Sequence, residues 1–279
     1  MARYRKLGVI AGGGALPVRI AAEKRARGEP CFVVRLAGFA DESLAAHPGE
    51  ACAIGEAGKL IRLLKEAGCD AATFAGVVKR PNFASLKTDW RGAALLPKLV
   101  AAAARGDGAL LSVLVETLEA EGFLIVGAEE AVRDLAAPPG QMGACAPIEG
   151  DFQDMAKAAR LIDALGAFDV GQAAVVASGL VLAVEAAEGT DAMLDRCALL
   201  PAEIRGGVLV KRPKPGQERR IDLPTIGVET IRRAAAAGLK GVAVEAGGAL
   251  VLDRDAAIAE ADRLGLFIYG FAAEEVRVP

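Results

Sequence analysis

The first half of the chain repeats one short pattern: an apolar run too brief for a helix, a turn, then a segment with helical period. KLGVI leads through AGGG into LPVRIAAEKRARG, with Pro17 near the first helical turn, where its missing N–H costs nothing. CFVVRL follows as a second strand. KLIRLLKEAG then carries apolar residues at positions 60, 61, 63, 64 and 67, the spacing of an amphipathic helix, and AATFAGVV is a third buried strand. A βαβαβ succession of this kind calls for a parallel sheet with right-handed crossovers. Aromatic residues are only 4% of the chain, so the core must be built from Ala, Val, Leu and Ile, which suits buried strands under Ala-rich helices. Helices near 91–104 and 109–120 lead to the strand FLIVGA.

The pattern is interrupted at 138–150, where PPGQMGACAPIEG has three prolines, three glycines and neither period, the composition of an interdomain linker. With 279 residues there is chain enough for two domains, and the boundaries expected are 1–137, a linker at 138–150, and 151–279. The second domain is again α/β: DFQDMAKAARLIDALG is helical, AAVVAS and LVLAVEA are strands, and TDAMLDRCALL is a helix capped by Thr190 or Asp191. GGVLVK, GVAVEAG, ALVLD and LFIYGF are further strands, separated by the helices VETIRRAAAAG and RDAAIAEADRLG.

Several function classes are excluded by counting. The most apolar stretch, 173–187, is broken by Ser178 and Glu185 and falls short of a membrane span, so none is expected. The basic start runs into a short, Gly-rich apolar segment and then Arg19, which reads as strand and loop instead of a signal peptide. Five cysteines form no CxxC pair and leave one over, as expected of buried, reduced thiols in a cytosol. A single histidine, His47, sits in a polar loop as a solvated side chain, and zinc or dinuclear centres that lean on several imidazoles cannot be built. Any metal must be a hard ion on carboxylates, Mg²⁺ or Mn²⁺.

Five stretches carry candidate chemistry. GVIAGGGALP places Gly12, Gly13 and Gly14 before a helix, either a phosphate or nucleotide loop or a plain tight turn. The dinucleotide spacing is incomplete, since Pro17 stands at the third glycine and the second strand ends near Arg35 where an acid is expected. VVKRPNF sets Lys79 and Arg80 beyond a strand's C-terminal end, either at a ligand or in a solvated basic loop. EAAEGTDAML clusters Glu185, Glu188 and Asp191 at a turn, with Thr190 at a helix start. That is either a seat for a hard cation beside a phosphate or ordinary capping. Upstream, FDVGQ adds Asp169 and Gln172 in a loop before a strand.

The fifth is KRPKPGQERRIDLP, 211–224, with five cations and two acids in a chain of net charge −3. A sequence pI near 5.5, confinement to one segment and scarce aromatics argue against nucleic acid. A phosphate-rich small molecule fits better, with Lys211, Lys214, Arg219 and Arg220 clamping its oxygens and Asp222 left to take a proton or bind metal. The alternative is an exposed basic hairpin with Asp222 as a turn residue.

GVIAGGGALP, VVKRPNF, FDVGQ, EAAEGTDAML and KPGQERRIDLPTIGVET occur in the order found in the LpxI family of UDP-2,3-diacylglucosamine pyrophosphatases, and the chain resembles that family from the first strand to LFIYG. The resemblance implies a Mg²⁺-dependent, lipid A pathway enzyme that hydrolyses UDP-2,3-diacylglucosamine to 2,3-diacylglucosamine 1-phosphate (lipid X) and UMP. It also implies a Rossmann-like first domain and a catalytic α/β second domain of unusual topology. The family's essential aspartate lies in the motif matched by RRIDLP, which puts it on Asp222. Neither the His-rich calcineurin-like pattern nor the clustered glutamates of Nudix enzymes is present.

On this basis the pyrophosphate is expected between the domains, with Mg²⁺ on Asp222 and one or more of Glu185, Glu188 and Asp191. Gln172, Thr190, Lys79 and Arg80 are further phosphate contacts. Two other readings are an NADP-linked oxidoreductase with Arg35 at the 2′-phosphate, and a non-catalytic nucleotide-binding regulator. A cytoplasmic homodimer is expected, with weak contact to the inner membrane following from the lipid substrate.

Overall fold

Apolar runs of about five residues become strands here because both faces of each sheet are covered. In the computed structural model, which describes residues 3–275, β1 (Leu7–Ala11) is buried at every position. It is followed by α1 (Ala15–Ala26), β2 (Cys31–Leu36), β3 (Gly49–Cys52), α2 (Ala57–Glu66) and β4 (Ala71–Ala75). Then come α3 (Trp90–Ala103), α4 (Asp107–Ala120), β5 (Leu124–Ile125) and the short α5 (Ala128–Ala131). The strand order is β3-β2-β1-β4-β5, all parallel, so the chain winds outward from β1 on one side and then restarts at β4 on the other. The crevice between β1 and β4 is the topological switch point of this Rossmann-like unit. β3 escapes the sequence reading because GEAC is a half-exposed edge strand with no apolar run.

Contacts divide the chain at Met1–Arg133 and Asp134–Pro279. The stretch read as a linker, 138–150, is structured and belongs to the second unit. Gly140–Met142 forms β6, paired antiparallel with β13 (Phe267–Phe271), and Glu149 begins α6 (Glu149–Gly166). Prolines and glycines there start an edge strand, where a missing N–H is tolerated.

The remaining elements are β7 (Ala173–Ala177), β8 (Leu180–Val184), α7 (Gly189–Ala198), β9 (Val208–Lys211), β10 (Thr225–Ile226), α8 (Val228–Ala236), β11 (Gly241–Glu245), β12 (Leu250–Val251) and α9 (Arg254–Leu264). The main sheet has the order β6-β13-β11-β9-β7-β8. Its centre β13-β11-β9 is parallel, β6 and β7 run opposite, and β8 returns as a hairpin; β10 and β12 form a separate pair. Strand alternation sends Val175, Leu209, Val242, Val244 and Ile268 to one face, in a core with residues of α7, α8 and α9. The opposite side chains, among them Val176, Val208, Val210 and Ala243, pack against Met155, Ala158, Ala159 and Ile162 of α6. The β7–β8 turn is anchored by Asp154, whose carboxylate accepts the N–H groups of Ser178 at 2.8 Å and Gly179 at 2.7 Å.

All five cysteines are free, with Cys145 half-buried and the others buried; burial pushes the Cys52 and Cys69 thiols up to about 11. Among the described residues no helix is long and apolar enough to cross a membrane.

Candidate active site

Parallel and antiparallel strands meet so that four strand ends share one edge of the second unit. Lys211, the last residue of β9, is in register with Ala173 at the start of β7 and with Val244 near the end of β11. Ala174 is in register with Val184 at the end of β8. Gln172, Glu185, Lys211, Arg212 and Glu245 therefore sit beside one another at this edge. The segment 212–224 leaves from it and brings Asp222 back to it.

That segment has local order of its own. Lys214, Pro215, Gly216 and Gln217 form a turn closed by the Gln217 N–H to the Lys214 carbonyl at 3.2 Å. Proline at its second position and glycine with φ +76 at its third are what a type II turn requires. The N–H groups of Ile221 and Asp222 both reach the Glu218 carbonyl at 3.2 Å. Asp222 is then held from two sides: Gln172 Nε2 donates to its Oδ2 at 3.1 Å, and Gln217 Nε2 donates to the same oxygen and to the Asp222 carbonyl. Burial pushes the Asp222 carboxyl above its ordinary range; the two amides and Lys214 pull it down without prevailing, and Asp169 adds to the rise.

The cations of the loop are already partnered. Lys211 is 7% exposed and donates to the Thr225 carbonyl at 3.0 Å. Its burial lowers the ammonium's pKa, opposed by Glu185, Asp191 and Asp222. Arg212 is buried between Asp163 at 2.9 Å and Glu245 at 2.8 Å. Lys214 pairs with Asp169, Arg219 with Glu245 at 3.1 Å, and Arg220 with Glu218 at 2.7 Å. In place of the expected clamp of open cations, four of the loop's five cations thus stand in ion pairs and Lys211 on a carbonyl; for Arg212 and Lys214, burial demands the counter-charge.

The expected metal set is not gathered. Glu188 pairs with Arg196, and Asp191 faces Arg233 at 3.7 Å. Glu185 accepts the Gln172 N–H and the Thr190 hydroxyl, each at 2.8 Å. Among the described residues no three of His, Cys, Asp or Glu stand together as a metal cage. Asp222 and Glu185 remain neighbours through Gln172, which bonds both. Thr190 does not cap α7, whose N-cap is Glu188; its hydroxyl is spent on Glu185.

In the first unit, the glycine loop is committed to the fold. Gly12 N–H bonds the Ala75 carbonyl at 2.8 Å, and Gly13 exchanges backbone bonds with Val77 at 2.9 Å each way. A Cβ at Gly12 would stand 2.8 Å from the Val77 oxygen, which accounts for glycine without a ligand. Gly14 is the N-cap of α1. Lys79 is exposed, and Arg80 is turned to the Ala103 carbonyl and toward Asp107 at 3.8 Å. Arg35 donates to the Gly49 carbonyl at 3.1 Å, on the neighbouring strand. His47 is half-buried.

The models of the LpxI N-terminal domain and the LpxI C-terminal domain match residues 6–135 and 138–269. A UDP-2,3-diacylglucosamine pyrophosphatase LpxI of Caulobacter vibrioides is 52% identical, over 97% of this chain and 99% of its own length. The chain belongs to the LpxI family. Of solved structures, CobK precorrin-6A reductase covers 96% of the chain and 87% of its own, at 13% identity and a TM-score of 0.33, too low a likeness to carry an argument.

For an LpxI chain, four members of this edge lie outside the motif reading: Arg212, Gln217, Glu245 and Asp163. Gln217 was signalled by the Pro-Gly turn that aims it at Asp222, and Glu245 by a carboxylate closing an otherwise apolar strand. Asp163 looks like any polar position of an amphipathic helix.

Proposed function

We infer that the chain hydrolyses the pyrophosphate of UDP-2,3-diacylglucosamine to 2,3-diacylglucosamine 1-phosphate and UMP in lipid A biosynthesis, with Asp222 as the catalytic group. Beyond family membership, the carrying observation is the state of Asp222: a desolvated carboxyl with raised proton affinity, tethered by two amides at an edge rich in cations. Such a carboxylate can take the proton of a water attacking phosphorus. Arg219 and Arg220, the more exposed cations of the loop, would take up charge gathering on the phosphoryl oxygens.

The donor set fits a hard divalent ion held sparingly. Mg²⁺ is bound by one or two carboxylates with phosphate oxygens and waters; Asp222 would supply one, and Glu185, whose oxygens accept the neutral Gln172 N–H and Thr190 hydroxyl, a second, whereas Glu188 and Asp191 face the cations of Arg196 and Arg233. When bound, Mg²⁺ (or Mn²⁺) would neutralise pyrophosphate charge and polarise its oxygens.

Asp222→Ala should leave the fold and substrate binding largely intact while abolishing release of UMP, measured by mass spectrometry; turnover at the wild-type rate would remove Asp222 from the mechanism. Exhaustive EDTA treatment should abolish activity and added Mg²⁺ restore it, and unaffected activity would sink the metal proposal.

A further inference from the structure

Asp222 has two carboxylate oxygens, and the molecule treats them differently. Gln172 and Gln217 both donate to Oδ2, and neither donates to Oδ1. The orientation of the Gln217 amide is fixed independently, because its Oε1 accepts the Lys214 N–H at 2.8 Å, which leaves the NH₂ end for Asp222. The same NH₂ also donates to the Asp222 backbone carbonyl at 2.7 Å, so it grips main chain and side chain of one residue together. The Gln172 strut is anchored through its own backbone: its N–H is given to Glu185 at 2.8 Å and its carbonyl accepts the Arg212 N–H at 3.0 Å.

We propose that Gln217 is a positioning residue for the hydrolysis. It holds Asp222 by Oδ2, with Gln172 as the second strut, and leaves Oδ1 as the oxygen that works on the substrate. The proposal rests on the reading of Asp222 as the catalytic group. A carboxylate on a 13-residue excursion between β9 and β10 has backbone and χ1 freedom to lose, and two amides on one oxygen remove it before substrate arrives.

Two substitutions separate positioning from simple bracing of the turn. Gln217→Glu keeps an acceptor for the Lys214 N–H but has no donor for Asp222. Gln217→Met keeps the length and loses both functions. Positioning predicts that kcat falls about tenfold to a hundredfold in both, the scale of a misplaced catalytic group, while KM stays within about twofold. Wild-type kcat in Gln217→Glu would overturn the proposal, since the acceptor alone would then suffice. A raised KM with unchanged kcat in either variant would overturn it too. Asp222→Ala is measured alongside. If it retains turnover, the reading of Asp222 fails; if it is inactive while Gln217→Glu turns over normally, the positioning role fails and that reading stands.

Discussion

Glu245 is the residue whose loss should cost most at the candidate site, though it lies outside all the motifs and touches only Arg212 and Arg219 of the cationic loop. It closes β11 almost fully buried and accepts Arg212 at 2.8 Å and Arg219 at 3.1 Å. Arg212 is itself buried, so Glu245→Gln leaves a desolvated guanidinium facing a neutral amide. Removing one partner of a buried pair costs about 3–5 kcal/mol. Asp163 still holds Arg212 at 2.9 Å, and Arg219 is 54% exposed and contributes little, which brings the figure below that range, to about 2–3 kcal/mol. At about 2–4 °C per kcal/mol for a chain of this size, Tm should fall by roughly 5–10 °C. Differential scanning calorimetry of the whole chain reads this directly, and reports whether one or two transitions are present. Asp163→Asn is the internal control: its carboxylate is 40% exposed, and its loss should cost under about 1 kcal/mol. A Glu245→Gln shift within about 1 °C, or an Asp163→Asn shift as large as that of Glu245→Gln, would refute the assignment of Glu245 as the main counter-charge of Arg212.

The stability of the site should also depend on pH through Asp222. Its carboxyl is raised from the ordinary value of 3.8, so the folded chain holds that proton more tightly than the unfolded one; the associated stability is complete below the ordinary value and lost as pH rises through the folded one. Asp222→Asn should therefore raise Tm at neutral pH, with the gain shrinking in acid, and an equal or lower Tm at neutral pH would contradict the burial argument. The activity tests of Asp222→Ala and of metal removal, and the kcat and KM of the Gln217 variants, complete the set.

Much of the fold was legible because both sheets are built from strands that are apolar on both faces. Periods identify α2 and α6, and apolar runs identify β1, β2, β7 and β11. What escaped was defined by hydrogen bonding alone. β3, β6 and β10 are two to four residues long at sheet edges or in a minor pair, and no side-chain pattern accompanies such partners. The misread linker has the same cause: a proline-rich edge strand and a loop have one composition. At the site, Asp222, Lys211, Gln172 and Glu185 were legible as types of chemistry, and the structure brings them to one edge. Glu188 and Asp191 were not separable from them in sequence, because nothing in EAAEGTDAML says that Arg196 and Arg233 stand near enough to claim two of its acids.

The pairing of four of the five cations in 211–220 with acids also bears on how an anionic substrate is taken up. An exposed ion pair is worth about 0–1 kcal/mol, so a phosphate can displace its carboxylate at little cost; a buried pair resists exchange by several kcal/mol because the carboxylate left behind would be desolvated and alone. Arg219 and Arg220 are 54% and 39% exposed, whereas Arg212 and Lys214 are near 10% and their acids lie at the same edge. On the reading proposed above, the loop is therefore divided. Lys211, Arg212 and Lys214 shape the segment and tie it to the strand ends. Arg219 and Arg220 are the cations that can trade Glu245 and Glu218 for phosphoryl oxygens. That exchange would release negative charge beside Asp222 only from Glu218, since Glu245 keeps Arg212. The charge freed on Glu218 and that of the incoming phosphoryl oxygens would both favour the protonated form of Asp222, so its proton affinity, already raised by burial, would rise further as substrate enters.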